Sequence, residues 1–171
     1  FQMHLADVIE VLTRLRSVGM QVNPDKCMWF QTEVTYLGFI ITRDGIKPQP
    51  EKIQGILYMK PPKTKKDGRR FVGMINFFRV LYPKRAETLS PLTDLCGHKR
   101  KFTWEATHDQ AFQRMKEIIM QEIMLTYPQF DKPFHVYTDA SETQIGGVVM
   151  QESKPLGFFS KKLNQRRKNI Q

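Results

Sequence analysis

The stretch Pro133 to Ser160, PFHVYTDASETQIGGVVMQESKPLGFFS, decides the architecture, because here apolar residues stop recurring every three to four positions. Phe134 to Thr138, Ile145 to Gln151 and Leu156 to Ser160 are apolar, aromatic and β-branched runs. Turns containing Ser141, Glu142, Ser153 and Pro155 separate them, so they read as three consecutive antiparallel strands. Upstream of Pro128 the period is mostly helical. From Met3 to Val18, the positions His4, Val8, Val11, Leu15 and Val18 form one stripe of an amphipathic helix that Gly19 stops. Asn23-Pro24-Asp25 is a turn, Val34 to Ile41 reads as a strand buried on much of both faces, and Asp44-Gly45 turns the chain back.

Pro50 and Glu51 open a second helix carrying Ile53, Ile56 and Leu57, and Pro61-Pro62 ends it in what reads as a hinge or linker. A third helix is expected from about Asp67 to Leu81, with Phe71, Met74, Ile75 and Phe78 at helical spacing, and Pro83 closes it. Leu89, Leu92 and Leu95 mark a fourth, and Phe102 to Trp104 a short extended piece. A capping-box pattern at Thr107 and Gln110 opens a fifth, whose face carries Ala111, Met115, Ile118 and Ile119. The fold class is therefore α+β: helix and hairpin first, helices in the middle, meander last.

The 171 residues are 40% hydrophobic and 26% charged, a composition for a folded chain, and no apolar run approaches the roughly 18 residues of a spanning helix. No membrane partner is expected. Cys27 and Cys96 are too few for a disulfide framework and lack metal-ligand spacing, which favours a reducing, intracellular compartment, cytoplasmic or nuclear. His98, His108 and His135 have no ligand spacing either. A Phe at the first position predicts a chain cut from something longer. The formal net charge is +10, and the basic residues cluster: Lys60, Lys63, Lys65, Lys66, Arg69 and Arg70; then Lys99 to Lys101; then Lys161, Lys162 and Arg166 to Lys168. Clustered positive charge points to a polyanion, nucleic acid first.

Several blocks, in order, carry a specific resemblance: His4-Leu5; Asn23 with Lys26-Cys27 and Phe30; Tyr36-Leu37-Gly38-Phe39-Ile40; Phe71-Val72-Gly73 with Asn76-Phe77-Phe78-Arg79; Phe102 with Trp104; and Pro133-Phe134 through Thr138-Asp139-Ala140-Ser141. They resemble the reverse transcriptase and ribonuclease H region of gypsy-type LTR retrotransposon polyproteins over nearly the whole chain. The resemblance implies the end of the palm with a primer-grip-like hairpin at 1–48, a helical thumb-like segment at 49–101, a connection at 102–132 and an incomplete ribonuclease H-like domain at 133–171. It implies an RNA/DNA hybrid or DNA duplex as partner, together with the remaining polymerase and ribonuclease H segments of the polyprotein, and Mg²⁺ in the complete enzyme.

The same resemblance implies roles for individual residues. Tyr36, Leu37, Gly38 and Phe39 would belong to the primer grip, although Gly38 also fits a bulge in a buried hairpin. Gly73, Asn76, Phe77 and Arg79 would lie on the helix that tracks the duplex, although Gly73 also fits close helix packing. Lys63, Lys65, Lys66, Arg69 and Arg70 would contact phosphates, or would form a solvated face. Asp139, otherwise a turn residue, would be a catalytic carboxylate and metal ligand. Two-ion phosphoryl transfer needs several carboxylates, and no Asp-Asp pair occurs, so this chain is expected to be inactive by itself. Met59, Lys60, Gly68 and Ile170 depart from the family pattern. They leave open a second reading, a repurposed or decayed element acting as a noncatalytic interaction scaffold.

Overall fold

The computed structural model describes residues 2–97, 101–121 and 123–163; His98, Lys99, Arg166 to Lys168 and Ile170 lie outside them. The chain divides into two compact units, Phe1–Thr32 and Glu33–Gln171.

In the first unit, helix α1 (Gln2–Ser17) buries none of its residues, and Ile9 and Val11 are exposed. A 3-10 turn follows at Pro24–Lys26, capped by Asn23, whose side chain accepts from the Asp25 amide at 2.9 Å. The edge of the His4 ring meets Phe30, with centroids 5.5 Å apart.

The second unit opens with an antiparallel sheet of β1 (Glu33–Tyr36), β2 (Phe39–Thr42) and β3 (Ile46–Pro48). Val34 to Ile41 is thus a hairpin rather than one strand, and β1 is largely exposed rather than buried on both faces. The cause is the two-residue loop Leu37-Gly38, whose φ angles of 47° and 80° match the twist of a tight hairpin. On the other edge, Ile46 and Leu125 exchange backbone hydrogen bonds of 2.8 and 3.0 Å.

Helices α2 (Pro50–Leu57), α3 (Lys65–Phe77), α4 (Arg85–Thr88), α5 (Ser90–Leu95) and α6 (Ala106–Met120) enclose the core. Phe71, Ile75 and Phe78 meet Ile56, Leu89, Leu92, Phe112 and Met115 there; the Phe71 and Phe112 rings are 4.5 Å apart. Each such side chain contributes about 1.5–3 kcal/mol by leaving water.

Three sequence expectations shift. The α3 helix starts at Lys65 because Thr64 and Asp67 form a reciprocal capping box, and it ends at Phe77. The α6 cap is Glu105, not Thr107, with His108 Nδ1 accepting from the Glu105 amide at 3.0 Å. Pro61-Pro62 is fastened rather than hinge-like: Pro62 is buried, and Lys116 Nζ donates to the carbonyls of Leu57 and Met59 at 2.7 and 2.6 Å.

The meander consists of β4 (His135–Ala140), β5 (Gln144–Gln151) and β6 (Lys154–Lys162), antiparallel in that order. Val136 pairs with Val149, whereas Phe158 pairs with Val148 and so points to the opposite face, where it packs on the helical core. The outer edge of β6 is held: Phe158 N–H donates to Val80 O at 2.9 Å and the Ala86 amide to Ser160 Oγ at 2.8 Å. Every residue of β4 is exposed, and among the described residues no strand pairs with its outer edge.

Candidate nucleic-acid interface

The hairpin turn and helix α3 face each other across an open groove of about 680 Å³. The capping box fixes where α3 begins, and Arg69, Arg70, Gly73, Met74 and Phe77, three to four residues apart, form the stripe that lines one wall. Leu37, Gly38 and Lys52 line the other, with Ile56 and Phe78 beneath. Phe39 stands behind, stacked on Phe77 at 5.7 Å and edge-on to Phe78 at 5.3 Å.

The two glycines of the groove play different parts. A Cβ on Gly38 would stand 3.0 Å from Phe77 Cε1, and its φ of 80° belongs to a tight turn, so Gly38 is neither a bulge nor open to solvent on that side. A Cβ on Gly73 would meet no atom within 4 Å. Close helix packing therefore does not account for Gly73, which costs a helix interior about 1 kcal/mol relative to Ala. It leaves the groove wall recessed next to two arginines.

The expected site residues thus divide. Leu37, Gly38, Arg69, Arg70, Gly73 and Phe77 come together in the groove, and Lys52 joins them. Lys52 carried no sequence signal, because its place depends on the fold bringing α2 beside the turn. Tyr36 is exposed outside the lining. Asn76 faces away and accepts a hydrogen bond from Arg85, whose guanidinium also donates to Ser160 O at 3.1 Å. Burial, and secondarily the charge of Arg79, lowers the Arg85 pKa. Lys65 Nζ donates to Gly97 O at 3.0 Å, and Arg69 donates to Cys96 O at 3.2 and 3.1 Å from Nε and Nη2. Both cations thereby hold the carbonyl end of α5, where helix polarity favours positive charge. Lys66 and Arg79 are exposed, and Lys63 borders a separate hollow with Trp104.

Asp139, on exposed β4, borders a hollow of about 200 Å³ together with Lys84, Tyr137 and Gln144. Among the described residues no group of three or more His, Cys, Asp or Glu is placed to hold a metal ion. One carboxylate does not fit a two-ion centre, so Asp139 can supply at most one ligand of it. No helix among the described residues is long and apolar enough to cross a membrane.

Residues 104–171 match the RNase H-like domain found in reverse transcriptase. The chain is 34% identical to the retrovirus-related Pol polyprotein from transposon opus of Drosophila melanogaster, over 99% of this chain and 18% of the relative. It is also 34% identical to that from transposon gypsy of the same organism, over 97% of this chain and 17% of the relative. The transposon Tf2-3 polyprotein of Schizosaccharomyces pombe is 30% identical, over 97% of this chain and 13% of the relative. The chain thus spans less than a fifth of the curated relatives it matches. Among solved structures, the foamy viral protease-reverse transcriptase in complex with RNA/DNA hybrid superimposes with a TM-score of 0.79 at 23% identity, covering 98% of this chain and 24% of that one. The complex of the same protein with dsDNA gives 0.77, covering 98% and 36%. This likeness establishes the fold.

Proposed function

Because the chain is homologous to the reverse transcriptase and ribonuclease H region of retrotransposon Pol polyproteins, we propose that it holds the template-primer duplex for such an enzyme, in the groove between the Leu37-Gly38 turn and helix α3. The observation that carries this reading is Gly73, a helix-interior glycine that packs against nothing and recesses the wall beside Arg69 and Arg70. A recessed, basic wall accepts a sugar-phosphate backbone without reading sequence. The ligand is an RNA/DNA hybrid or DNA duplex, the kinds present in the complexes of the foamy viral protein.

In this reading, residues 1–48 are the palm end with the primer grip, 49–101 the thumb, 102–132 the connection, and 133–171 the first part of the ribonuclease H-like domain. Its working partners are the remaining polymerase and ribonuclease H segments of the polyprotein, and it acts inside the cell. Asp139 would contribute one carboxylate to the ribonuclease centre of the complete enzyme, where Mg²⁺ would also need carboxylates from the remaining segments of the polyprotein. Nothing observed favours a repurposed scaffold.

Fluorescence anisotropy with a labelled hybrid tests the proposal. The expected Kd near physiological salt is on the order of 10⁻⁴ to 10⁻⁶ M, falling steeply as salt is lowered. Lys52→Ala with Arg70→Ala should flatten that salt dependence. An affinity indifferent to salt, or a double variant with the wild-type slope, would contradict the groove as the duplex site.

A further inference from the structure

A second concave surface lies at the other end of the same basic segment. Lys60, Pro61, Pro62, Lys63, Phe102 and Trp104 line a hollow of about 560 Å³. Its floor is fixed in advance. Pro62 is buried, the carbonyls of Leu57 and Met59 just upstream are held by Lys116, and Trp104 is set by the Phe112 and His108 rings at 6.1 and 5.8 Å. The rim carries the exposed Lys60 and Lys63. The walls are thus proline rings and aromatic faces, and the two polar side chains among them are cations.

We propose that this hollow takes an unpaired nucleotide, its base against Trp104 and its phosphates on Lys60 and Lys63, in a single strand that continues out of the duplex groove. Two observations select nucleic acid over an acidic peptide. Residues 60–70 begin at the hollow with Lys60 and Lys63 and end at the groove with Arg69 and Arg70, so one basic track joins both surfaces. The six residue steps from Thr64, the cap of α3, to Arg70 rise about 9 Å, the span of roughly three nucleotides of a B-form strand. A stacking face flanked by cations, with no other polar side chain to read a base edge, is also the arrangement of sequence-tolerant single-strand binding. The proposal rests on the groove reading for its continuity, and the experiment separates the two.

The whole chain carrying Trp29→Phe, which leaves Trp104 as its single tryptophan, is titrated with a blunt hybrid duplex, the same duplex with a five-nucleotide overhang, and that duplex with an abasic overhang. The base-bearing overhang should bind at least about five-fold tighter than the blunt end, the low end for one stacked base, and should quench Trp104 emission. The abasic overhang should lose the gain, and Lys60→Gln with Lys63→Gln should shrink the ratio of overhung to blunt affinity. Equal affinities for blunt and overhung duplexes, an unchanged ratio in the lysine variant, or quenching by an acidic aromatic peptide that the oligonucleotide does not displace would each overturn the proposal. Failure of the blunt duplex to bind while a single strand still quenches Trp104 would overturn the groove and keep the hollow. If nothing binds, both fall.

Discussion

Gly38 lies directly against Phe77: a methyl group in place of its hydrogen would stand 3.0 Å from the ring edge, in a backbone conformation with φ of 80°. This contact seats the hairpin turn on helix α3 and sets one end of the groove. Gly38→Ala is therefore expected to cost about 1–2 kcal/mol, from left-handed strain and from displacement of a half-exposed ring. Urea unfolding at equilibrium measures it. A midpoint equal to that of the wild type would show that the turn is not held in this conformation.

Gly68 is a departure from the family pattern that its surroundings explain. A Cβ there would lie 2.4 Å from Cys96 Sγ, so α3 and the end of α5 meet through the missing side chain. Gly68→Ala gains about 1 kcal/mol in helix propensity but loses about 1–3 kcal/mol to overpacking, so net destabilisation is expected. In a Cys96→Ala background the penalty should vanish or reverse, giving a coupling within the range of about 0.5–3 kcal/mol for touching residues. Additive effects of the two substitutions would refute the contact.

Much of this architecture was legible because local rules agreed with it. The helical stripes through Phe71, Ile75 and Met115, the turn at Asp44-Gly45 and the three strands after Pro128 follow from periodicity and turn chemistry. The hairpin within Val34 to Ile41 followed from the resemblance and not from periodicity, because Leu37 is not a residue that advertises a left-handed turn. The face that Phe158 takes could not be read from strand alternation, because the offset between β5 and β6 depends on an irregularity at Val149/Met150. Of the groove residues, Arg69 and Arg70 were expected from clustered charge, and Leu37, Gly38, Gly73 and Phe77 from the resemblance alone. Lys52, and the hydrogen bonds of Lys65 and Arg69 to α5 carbonyls, depend on contacts distant in sequence. Gly73 shows the limit clearly, since only the fold distinguishes packing against a neighbour from facing an empty groove.

Tyr82 predicts an alkaline response. Its side chain is almost fully buried, its hydroxyl has no hydrogen-bond partner among the described residues, and burial pushes its pKa up to about 12. In the unfolded chain a tyrosine titrates near 10. Between roughly pH 10 and 12 the unfolded state loses this proton while the folded state keeps it, so stability falls across that window and levels above it. Tyr82→Phe should remove this contribution and be neutral to stabilising at pH 7, because it deletes an unpaired buried hydroxyl. Urea midpoints at pH 7 and pH 11 distinguish the outcomes. A variant much weaker at pH 7 would mean that the hydroxyl has a partner.

The meander should be unevenly protected in hydrogen exchange. Strand β6 is fastened by Phe158 to Val80, by Ser160 to Ala86 and by Lys162 to Asp94, whereas β4 is exposed throughout. Amides of His135 to Ala140 that point away from β5 should exchange fastest, those of β6 more slowly, and those of α3 and α6 slowest. The open edge of β4 should also promote self-association. Uniform slow exchange across 134–160 in a monomeric sample would contradict this order.

A single substitution separates a duplex lying against the recess at Gly73 from any structural role of that glycine. Gly73→Leu adds a side chain where no atom lies within 4 Å of the Cβ position. It also raises helix propensity by somewhat under 1 kcal/mol. The measurement is hybrid-duplex affinity by anisotropy, with the thermal midpoint of the same samples recorded alongside. A duplex in the recess requires a midpoint equal to or above that of the wild type together with affinity at least about ten-fold weaker. Wild-type affinity in a fully folded Gly73→Leu protein would contradict it.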